Sequence, residues 1–395
     1  MKISLAQRRA RLGVRHRLAT PSATVEDAAA GVVALHATDP ASVYLAAWAR
    51  TPAGTDVVGE VERALYEDRT LVRLLGMRRT VFVLDVATAA LVQAGCAADI
   101  AVRQRKLLEQ HLGTIGHPTN VEDPPRWLAD VAVSVEKALR ARGSATAQEL
   151  AGDEPRLRQQ LHMAKGKPYG AIGNVTSRVL FQLAVEGRIV RGRPRGSWLS
   201  TQYVWAPLDG WLPGGLPEVP AAEARAELAR RWLHAFGPAP VSDLRWWTGW
   251  TATQTKQALA AVDTTDVDLD GEPGLVLSDD LGPVPEPEPW VALLPALDPT
   301  AMGWSARDWY VGPHRAALFD RSGNIGPTVW ADGRVVGAWA QQPSGEIALR
   351  LLEDPGRERT AAVEAEAARL QTWLGETRVV PKFRTPVERE LSGGG

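Results

Sequence analysis

The chain has 395 residues, of which 45% are hydrophobic and 23% charged, with 36 glycines and 28 prolines. This composition excludes a disordered chain, a collagen and a coiled-coil rod, and the length predicts two to four domains at roughly 100–200 residues each. The only cysteine, Cys96, excludes a disulfide framework and a cysteine-based zinc finger, and it predicts a reducing, cytoplasmic location. The longest uncharged apolar stretch, residues 86–98, is shorter than the ~20 residues of a membrane helix, and the basic start lacks the apolar segment of a signal peptide. We therefore expect no membrane.

The net charge of −1 conceals separate basic and acidic segments. Residues 1–19 carry six cations and no acid, and residues 156–195 carry nine cations against one acid. Residues 257–306 carry ten acids and no Lys or Arg. This segregation predicts one polyanion-binding surface and an acidic, solvated back. The alternative is that a composition rich in Arg and Ala clusters by chance.

The first predicted domain, residues 1–122, has mainly helical spacing of its apolar residues. Thr24 as N-cap, with Asp27 three positions later, predicts the start of one helix. Amphipathic helices are also predicted over residues 61–65, 86–92 and 101–112, and a short strand over 81–84.

The next two predicted domains, residues 123–215 and 216–282, repeat one order of elements. Helices are predicted over 127–142, from 144 onward and over 174–186, and a basic loop lies between the second and the third. A short hairpin begins at 187, and three helices followed by a hairpin are the order of a winged helix. Roughly 95 residues later, helices are predicted over 223–236, 241–247 and 251–262. The repeat indicates tandem winged helices, and the first domain is a candidate for a third.

The fourth predicted domain, residues 283–395, begins with a Pro/Glu linker and is richer in strands. Apolar runs predict strands at 291–295, 310–311, 328–330, 335–339 and 347–352, and residues 358–374 predict a helix. Asp332-Gly333 supplies the positive-φ positions of a tight hairpin turn. The predicted fold class is therefore α+β: mainly α with short β wings, in tandem winged-helix domains, plus a small C-terminal β domain.

Three stretches are more specific than these patterns. The first is ALHATDPASVYLAAWAR at residues 34–50, followed by ALYEDRTLVR at 64–73. The second is LPALDPTAMGWSARDWY at 294–310, continued by LFDRSGNIGPTVW at 318–330 and GRVVG at 333–337, and the third is PKFRTP at 381–386. Together these stretches resemble the AlkZ/YcaQ family of winged-helix DNA glycosylases over nearly the whole chain.

That resemblance implies an architecture and an activity. The implied architecture is a C shape of three tandem winged helices with a C-terminal β domain. The implied activity is that of a monofunctional DNA glycosylase removing alkylated or adducted purines from double-stranded DNA, in some members by unhooking interstrand crosslinks made by antibacterial natural products. No metal and no organic cofactor is implied, and we expect a monomer.

The resemblance also locates the candidate catalytic pair. In the family a Gln-x-Gln or Gln-x-Asp motif follows the Ala-Leu of the first stretch and holds the hydrolytic water, whereas this chain has His36 and Thr38 there. If the segment is extended, both side chains share one face and Asp39 faces the other way. His36 would then accept a proton from water, since its ordinary pKa of ~6.5 suits a general base, while Thr38 orients that water. The alternative is that both are relics in a protein that only binds DNA.

Basic residues near these motifs are candidate DNA contacts. Arg78 and Arg79 precede the predicted strand at 81–84 and are expected to contact phosphate or to form internal ion pairs. Arg307 is a candidate too, although burial in a pair with Asp298 is the favoured interpretation. A short loop punctuated by glycine suits phosphate contacts. Lys165 and Lys167 lie in such a loop, and Arg178, Lys382 and Arg384 complete the set of candidates.

The rival function is that of a transcription regulator, because winged helices most often bind promoters. Three winged helices and a β domain are large for a repressor, and no dimerisation helix is evident from the pattern, which favours the glycosylase. The histidines show no metal-ligand spacing, so no metal site is predicted.

Overall fold

A computed structural model describes residues 1–113, 120–163 and 171–393. Its first unit joins short helices to a three-stranded antiparallel sheet of order β1-β3-β2. The helices are α1 (Leu5–Arg15), α2 (Val25–Gly31), α3 (Pro40–Trp48), α4 (Val57–Glu62), α5 (Val86–Val92) and α6 (Ala98–Leu112), and the strands are β1 (Leu35–His36), β2 (Leu71–Leu75) and β3 (Val81–Asp85). The Thr24 hydroxyl accepts a hydrogen bond from the Asp27 backbone at the start of α2, which confirms the predicted cap.

Helices α5 and α6 form one continuous helix, Val86–Leu112, through a π-helical turn at Gln93–Ala97. Among the described helices, only this one is long and apolar enough to cross a membrane. More than half of its apolar window lies buried inside the protein, as in a core helix. The uncharged stretch at 86–98 is therefore the first half of a buried helix.

The second unit has the predicted winged-helix order with an added hairpin. Its helices are α7 (Pro124–Arg142), α8 (Ala147–Asp153), α9 (Val175–Val185) and α10 (Leu208–Trp211), and its strands are β4 (Ala145–Thr146), β5 (Gln160–Met163), β6 (Ala171–Asn174), β7 (Ile189–Pro194) and β8 (Tyr203–Pro207). One sheet has the order β4-β8-β7, and β5 pairs with β6. The segment predicted as a basic loop thus contains two strands. Lys165 and Lys167 lie between them, outside the described residues.

The third unit repeats three helices and a hairpin. It consists of α11 (Ala221–Phe236), α12 (Val241–Thr248), α13 (Ala252–Leu259), β9 (Thr264–Leu269) and β10 (Glu272–Leu277). Gly249 ends α12 in the left-handed conformation, with φ of 73°. Thr251 and Gln254 then form a capping box at the start of α13.

The fourth unit is a four-stranded antiparallel sheet, of order β11-β12-β13-β14, with helices around it. Its strands are β11 (Val291–Leu294), β12 (Thr328–Ala331), β13 (Arg334–Gln341) and β14 (Ile347–Leu351), and its helices are α14 (Pro299–Met302), α15 (Asp308–Val311), α16 (Arg315–Leu318), α17 (Arg357–Leu374) and α18 (Pro386–Leu391). Asp332 and Gly333 have φ of 46° and 81°, which confirms the predicted turn. The strand predicted at 310–311 is wrong: the Tyr310 ring stacks on Trp330 and its hydroxyl donates to the Ala301 carbonyl, so its apolar run packs as a helical turn.

The apolar core is divided unequally among the units. One large cluster of buried side chains runs through the first, third and fourth units. The second unit has its own core, between α6, α7, α9 and β8. The large cluster also takes in Val190, Ala206, Leu208 and Leu212 of the second unit, and the core of the second unit includes Leu108 and Leu112 of α6. All four units are therefore packed together, and the second adds a core of its own.

A buried polar network crosses the large core. Arg50 and Asp298 are 0% exposed, and the guanidinium donates two hydrogen bonds to the carboxylate, at 2.9 and 2.7 Å. The expected pairing of Asp298 with Arg307 is therefore wrong, because Arg50, in the turn after α3, bonds to both carboxylate oxygens. Arg50 also donates to Thr300, whose hydroxyl lies 2.9 Å from His16 Nδ1, and His16 Nε2 lies 3.1 Å from the Ala235 carbonyl.

Candidate active site

His36 lies at the end of β1 and faces the protein interior. It pairs with Phe82 of β3, and the two rings meet edge to face at 5.4 Å. The side chain is 7% exposed. Its Nδ1 accepts a long hydrogen bond, 3.5 Å, from the Thr38 backbone. Nε2 has no hydrogen-bond partner among the described residues, so it is the nitrogen left to bind a water.

Burial changes the chemistry that His36 can perform. Desolvation, with a smaller contribution from the positive charge of Arg78, lowers the pKa of His36 to about 3. The imidazole is therefore uncharged at neutral pH and is a weak base. The expectation that it would take a proton with an ordinary pKa is corrected. Because Nδ1 accepts from the Thr38 backbone, the neutral ring carries its proton on Nε2, and His36 is suited to donate a hydrogen bond to water rather than to deprotonate it.

Thr38 lines a cavity that His36 does not reach. Strand β1 ends at His36, and Thr38 lies in a bend before α3. The expected extended segment with both side chains on one face is therefore interrupted. Thr38 instead borders a cavity of about 530 Å³, which we call the Thr38 cavity. Its other walls come from β4, α8, α9, β7, β8, the loop between β7 and β8, and the C-terminal tail. The described residues that form those walls do not include His36.

Asp39 connects this bend to the C-terminal tail. One carboxylate oxygen accepts a hydrogen bond from the Ala41 backbone at 3.2 Å and caps α3, and the other accepts from the Lys382 backbone at 2.8 Å. Burial raises the pKa of Asp39, and the two backbone donors oppose that rise. Asp39 thus positions both Thr38 and Lys382, and the exposed Lys382 also borders the Thr38 cavity.

Tyr203, on β8, is a wall residue that the sequence did not single out. Its ring lies 4.6 Å from the guanidinium of Arg73 and 5.5 Å from that of Arg191. The side chain is 9% exposed, and its buried hydroxyl has no hydrogen-bond partner in the described part of the chain. Burial raises the pKa of Tyr203, so the phenol keeps its proton and can donate. Sequence alone gives no signal for this role, because a Tyr at a strand start most often packs.

The Thr38 cavity is positively charged. Arg191, Arg195 and Lys382 border it, and Arg195 is paired with Glu149 at 2.6 Å. The guanidinium of Arg191 is half-buried over the rings of Tyr203 and Trp205 and has no ion pair among the described residues. This environment suits phosphate and sugar oxygens better than a cationic purine.

The other candidate DNA contacts are scattered. Arg78 is half-buried and Arg79 exposed, on the turn between β2 and β3. Arg178 is half-buried on α9, beside the Ser177 that borders the cavity. Arg384 pairs with Glu388 at 2.5 Å. Arg307 is 3% exposed and donates to the carbonyls of Trp304 and Gly323, so burial prevents the direct DNA contact expected of it.

The described residues offer no metal site. Within 1–113, 120–163 and 171–393, no three His, Cys, Asp or Glu side chains are grouped so that they could hold an ion. Cys96 is buried, and burial raises the pKa of its thiol to about 12, which makes it a poor nucleophile.

Similarity to known proteins identifies the family of this chain. The family described as DNA glycosylase AlkZ-like matches residues 29–373. The chain belongs to this family. An interstrand DNA cross-link repair glycosylase of Streptomyces sahachiroi is 29% identical over 210 residues, which are 51% of this chain and 56% of that protein. The matched sequence thus spans little more than half the length of that curated relative.

Solved structures support the fold of this AlkZ-like protein. The Streptomyces sahachiroi DNA glycosylase AlkZ superposes with a TM-score of 0.72 at 23% identity, over 96% of this chain and 99% of that chain. The predicted α+β class is confirmed, because the likeness extends over all four units. Membership of the AlkZ-like family also confirms the resemblance drawn from the motifs at 34–50 and 294–310.

Proposed function

We propose that this AlkZ-like protein is a DNA glycosylase that hydrolyses the N-glycosidic bond of alkylated or bulky-adducted purines in double-stranded DNA. The observation that carries the proposal is the cationic Thr38 cavity, which opens at the position of the family motif and is bordered by Arg191, Arg195 and Lys382. Family membership over residues 29–373 supports a hydrolase acting on damaged DNA.

The chemistry needs little acid or base strength. An N3- or N7-alkylated purine is already cationic, so it departs as a neutral base once the bond to the sugar breaks. The protein must mainly hold a water near the anomeric carbon and stabilise a sugar with oxocarbenium character. A neutral His36 that donates a hydrogen bond from Nε2, and a Thr38 hydroxyl that both accepts and donates, are sufficient for that task.

We assign residue roles within this proposal. Thr38 holds the water at the cavity wall, and His36, which does not border the cavity, donates a hydrogen bond from Nε2 to a second water. Tyr203 donates its unpaired hydroxyl to the substrate. Lys382 and Arg191 contact the DNA backbone, and Arg78, Arg79, Arg178, Lys165, Lys167 and Arg384 remain predicted contacts elsewhere on the DNA. The protein acts in the cytoplasm, as a monomer and without a cofactor.

A second candidate function rests on the burial of His36. Because this side chain is 7% exposed and stands apart from the cavity wall, a winged-helix protein that binds DNA without hydrolysis is the alternative. A regulator of that kind would bind one undamaged sequence tightly.

Both functions are tested by a panel of duplexes. Duplexes that contain 7-methylguanine, 3-methyladenine, bulkier purine adducts or an interstrand crosslink are incubated with the protein, and free base and unhooked strands are quantified. Crosslinked duplex belongs in the panel because the Streptomyces sahachiroi relative is named for crosslink repair. We expect release from at least one adduct. No release from any adduct, with tight binding to one undamaged sequence, would establish the regulator instead.

A further inference from the structure

Five side chains from three units form a continuous stack of alternating guanidinium groups and aromatic rings, which we call the arginine stack. The Arg78 guanidinium lies 3.9 Å from the centre of the Trp246 ring, and that of Arg307 lies 4.9 Å from the same ring. Arg307 is also 4.9 Å from the Phe319 ring, which Arg315 approaches at 5.3 Å. A guanidinium at such distances is attracted to the ring face without losing its charge.

The first member of the stack is held by a strained turn. Arg78 and Arg79, between β2 and β3, have φ of 53° and 63°, a left-handed conformation that side chains other than glycine rarely adopt. Gly249 accommodates this turn, because a Cβ there would lie 3.3 Å from Arg78 Cγ. Strain of this kind persists where surrounding contacts fix it, and it is common at functional sites. The turn thus presents Arg78 to Trp246 of α12 in one fixed position.

The stack carries positive charge that the protein does not neutralise. Within the described chain, no carboxylate lies within ion-pair distance of Arg78, Arg307 or Arg315. Arg307, at the centre, is buried and bonded to backbone carbonyls. Asp243 acts on Arg307 through its charge and without an ion pair: one of its oxygens accepts the backbone N–H groups of Ser305 and Ala306, and the other has no hydrogen-bond partner among the described residues.

The two ends of the stack remain available to a ligand. Arg315 is exposed, and Arg78 is half-buried with its Nε buried and without a hydrogen-bond partner among the described residues. Burial and the charge of Arg307 lower the pKa of Arg78 to about 10, so it stays protonated at neutral pH despite its like-charged neighbour. Such a pair of cations, kept apart by rings, is complementary to a ligand with repeated negative charges.

We propose that the arginine stack binds the phosphate backbone of duplex DNA, with Arg78 and Arg315 contacting separate phosphates. Guanidinium groups bind phosphate oxygens in a bidentate manner, which a planar ring surface helps to orient. Trp246, Arg307 and Phe319 are positioning residues that hold the two ends in register. The charge of Arg78 also acts on His36, so the stack begins beside the candidate active site. This inference rests on the proposed function for the identity of the ligand.

The test is the salt dependence of DNA binding by the full chain. Anisotropy titrations use an undamaged fluorescent duplex between roughly 50 and 200 mM salt, where the logarithm of affinity falls with a slope of about 0.9 per phosphate contact. We expect Arg78→Gln and Arg315→Gln each to lower that slope by about 0.9. Trp246→Leu should lower it similarly although both arginines remain, while Trp246→Phe, which keeps a ring, should retain more of it.

The control is Arg357→Gln, which removes an exposed arginine at the start of α17, outside the stack. A slope for Arg78→Gln or Arg315→Gln equal to that of Arg357→Gln overturns the proposal. If Trp246→Leu does not fold, the two arginine variants decide alone. Reduced slopes without base release from any lesion would support the stack and refute the glycosylase. Base release by the wild type, together with unchanged slopes in the two arginine variants, would support the glycosylase and refute the stack.

Discussion

A buried hydroxyl without a hydrogen-bond partner destabilises a fold, and Tyr203 carries one beside the Thr38 cavity. Leaving such a group unpaired costs about 1–3 kcal/mol. The protein retains it in a wall between two guanidiniums, which is consistent with a partner that arrives with the substrate. Tyr203 thus differs from Tyr310, whose buried hydroxyl is bonded within the fold.

We predict opposite effects of removing two buried tyrosine hydroxyls. Tyr203→Phe should raise the free energy of unfolding by up to about 1 kcal/mol, because it removes an unpaired group, and should lower the rate of base release about tenfold. Tyr310→Phe should lower the free energy of unfolding by about 1 kcal/mol, because its hydroxyl donates to the Ala301 carbonyl, and should leave base release unchanged. Urea denaturation and single-turnover assays measure the two quantities. If Tyr203→Phe is less stable than the wild type and releases base at the full rate, the Tyr203 hydroxyl stabilises the fold and does not contact the substrate.

Among the elements, the turn after α3 is joined to the start of α14 by the pair of Arg50 and Asp298, in which Asp298 is also the N-cap of α14. Both side chains are fully buried, so removing one partner leaves an uncompensated charge in the core. We predict that Asp298→Asn lowers the free energy of unfolding by about 3–5 kcal/mol in chemical denaturation.

The matched control is the exposed pair of Arg140 and Asp209, at 2.9 Å. Asp209→Asn should change the free energy of unfolding by less than about 1 kcal/mol, since exposed ion pairs are screened by solvent. Equal effects of Asp298→Asn and Asp209→Asn would show that the buried pair has no special role.

Local signals explain which elements the sequence predicts. The Thr24 cap and the Asp332-Gly333 turn act over three or four residues, so each is evident from its own segment. The strand wrongly predicted at 310–311 is a case where tertiary contacts of Tyr310 prevail over an apolar run. Resemblance to known motifs supplied the family, which periodicity alone could not.

The candidate site depends on contacts between distant parts of the chain. Arg50 and Asp298 are 248 positions apart, and the bond from Lys382 to Asp39 spans 343. The Thr38 cavity likewise needs β8 and the C-terminal tail to meet one bend. A local sequence pattern does not show contacts between residues that are far apart in the chain. The sequence therefore indicated His36 and Thr38, but neither the burial of His36 nor the position of Tyr203 in the cavity wall.

At the scale of the whole molecule, His16 connects three units. Its Nδ1 accepts from Thr300, which itself accepts from Arg50, so Nε2 carries the proton and donates to the Ala235 carbonyl. Burial first, and then the charges of Arg50 and Arg15, lower the pKa of His16 to about 3. The neutral ring is therefore part of the native network.

We predict an acid-dependent loss of stability from His16. The unfolded chain binds this proton near the ordinary pKa of ~6.5, whereas the folded chain does not until about pH 3, so stability is full above pH ~6.5 and falls as pH is lowered. Protonation of His16 in the unfolded chain thus lowers the free energy of unfolding by about 1.4 kcal/mol for each pH unit below ~6.5. His16→Gln should reduce the slope of unfolding free energy against pH, measured between about pH 6 and 4, by that amount. If His16→Gln leaves this slope unchanged, His16 is not the group whose protonation destabilises the fold.

The two cationic surfaces lie on different parts of the first unit. The Thr38 cavity lies where the bend after β1 meets the second unit and the C-terminal tail. The arginine stack begins at the turn between β2 and β3, with Arg78 against Trp246 of the third unit.

The proposed hydrolysis depends most on the water that Thr38 holds at the cavity wall for attack on the sugar of a damaged purine, and on His36 two residues before it, which donates to a second water. Its most direct test is the single-turnover rate of base release from a lesion that the protein excises, compared among wild type, His36→Ala and His234→Ala. We predict that His36→Ala, which removes a preorganised hydrogen-bond donor, lowers that rate at least about 100-fold with DNA affinity unchanged within a few fold, while His234→Ala, which removes an exposed histidine of α11, behaves as wild type. Release by His36→Ala at the wild-type rate would contradict the account.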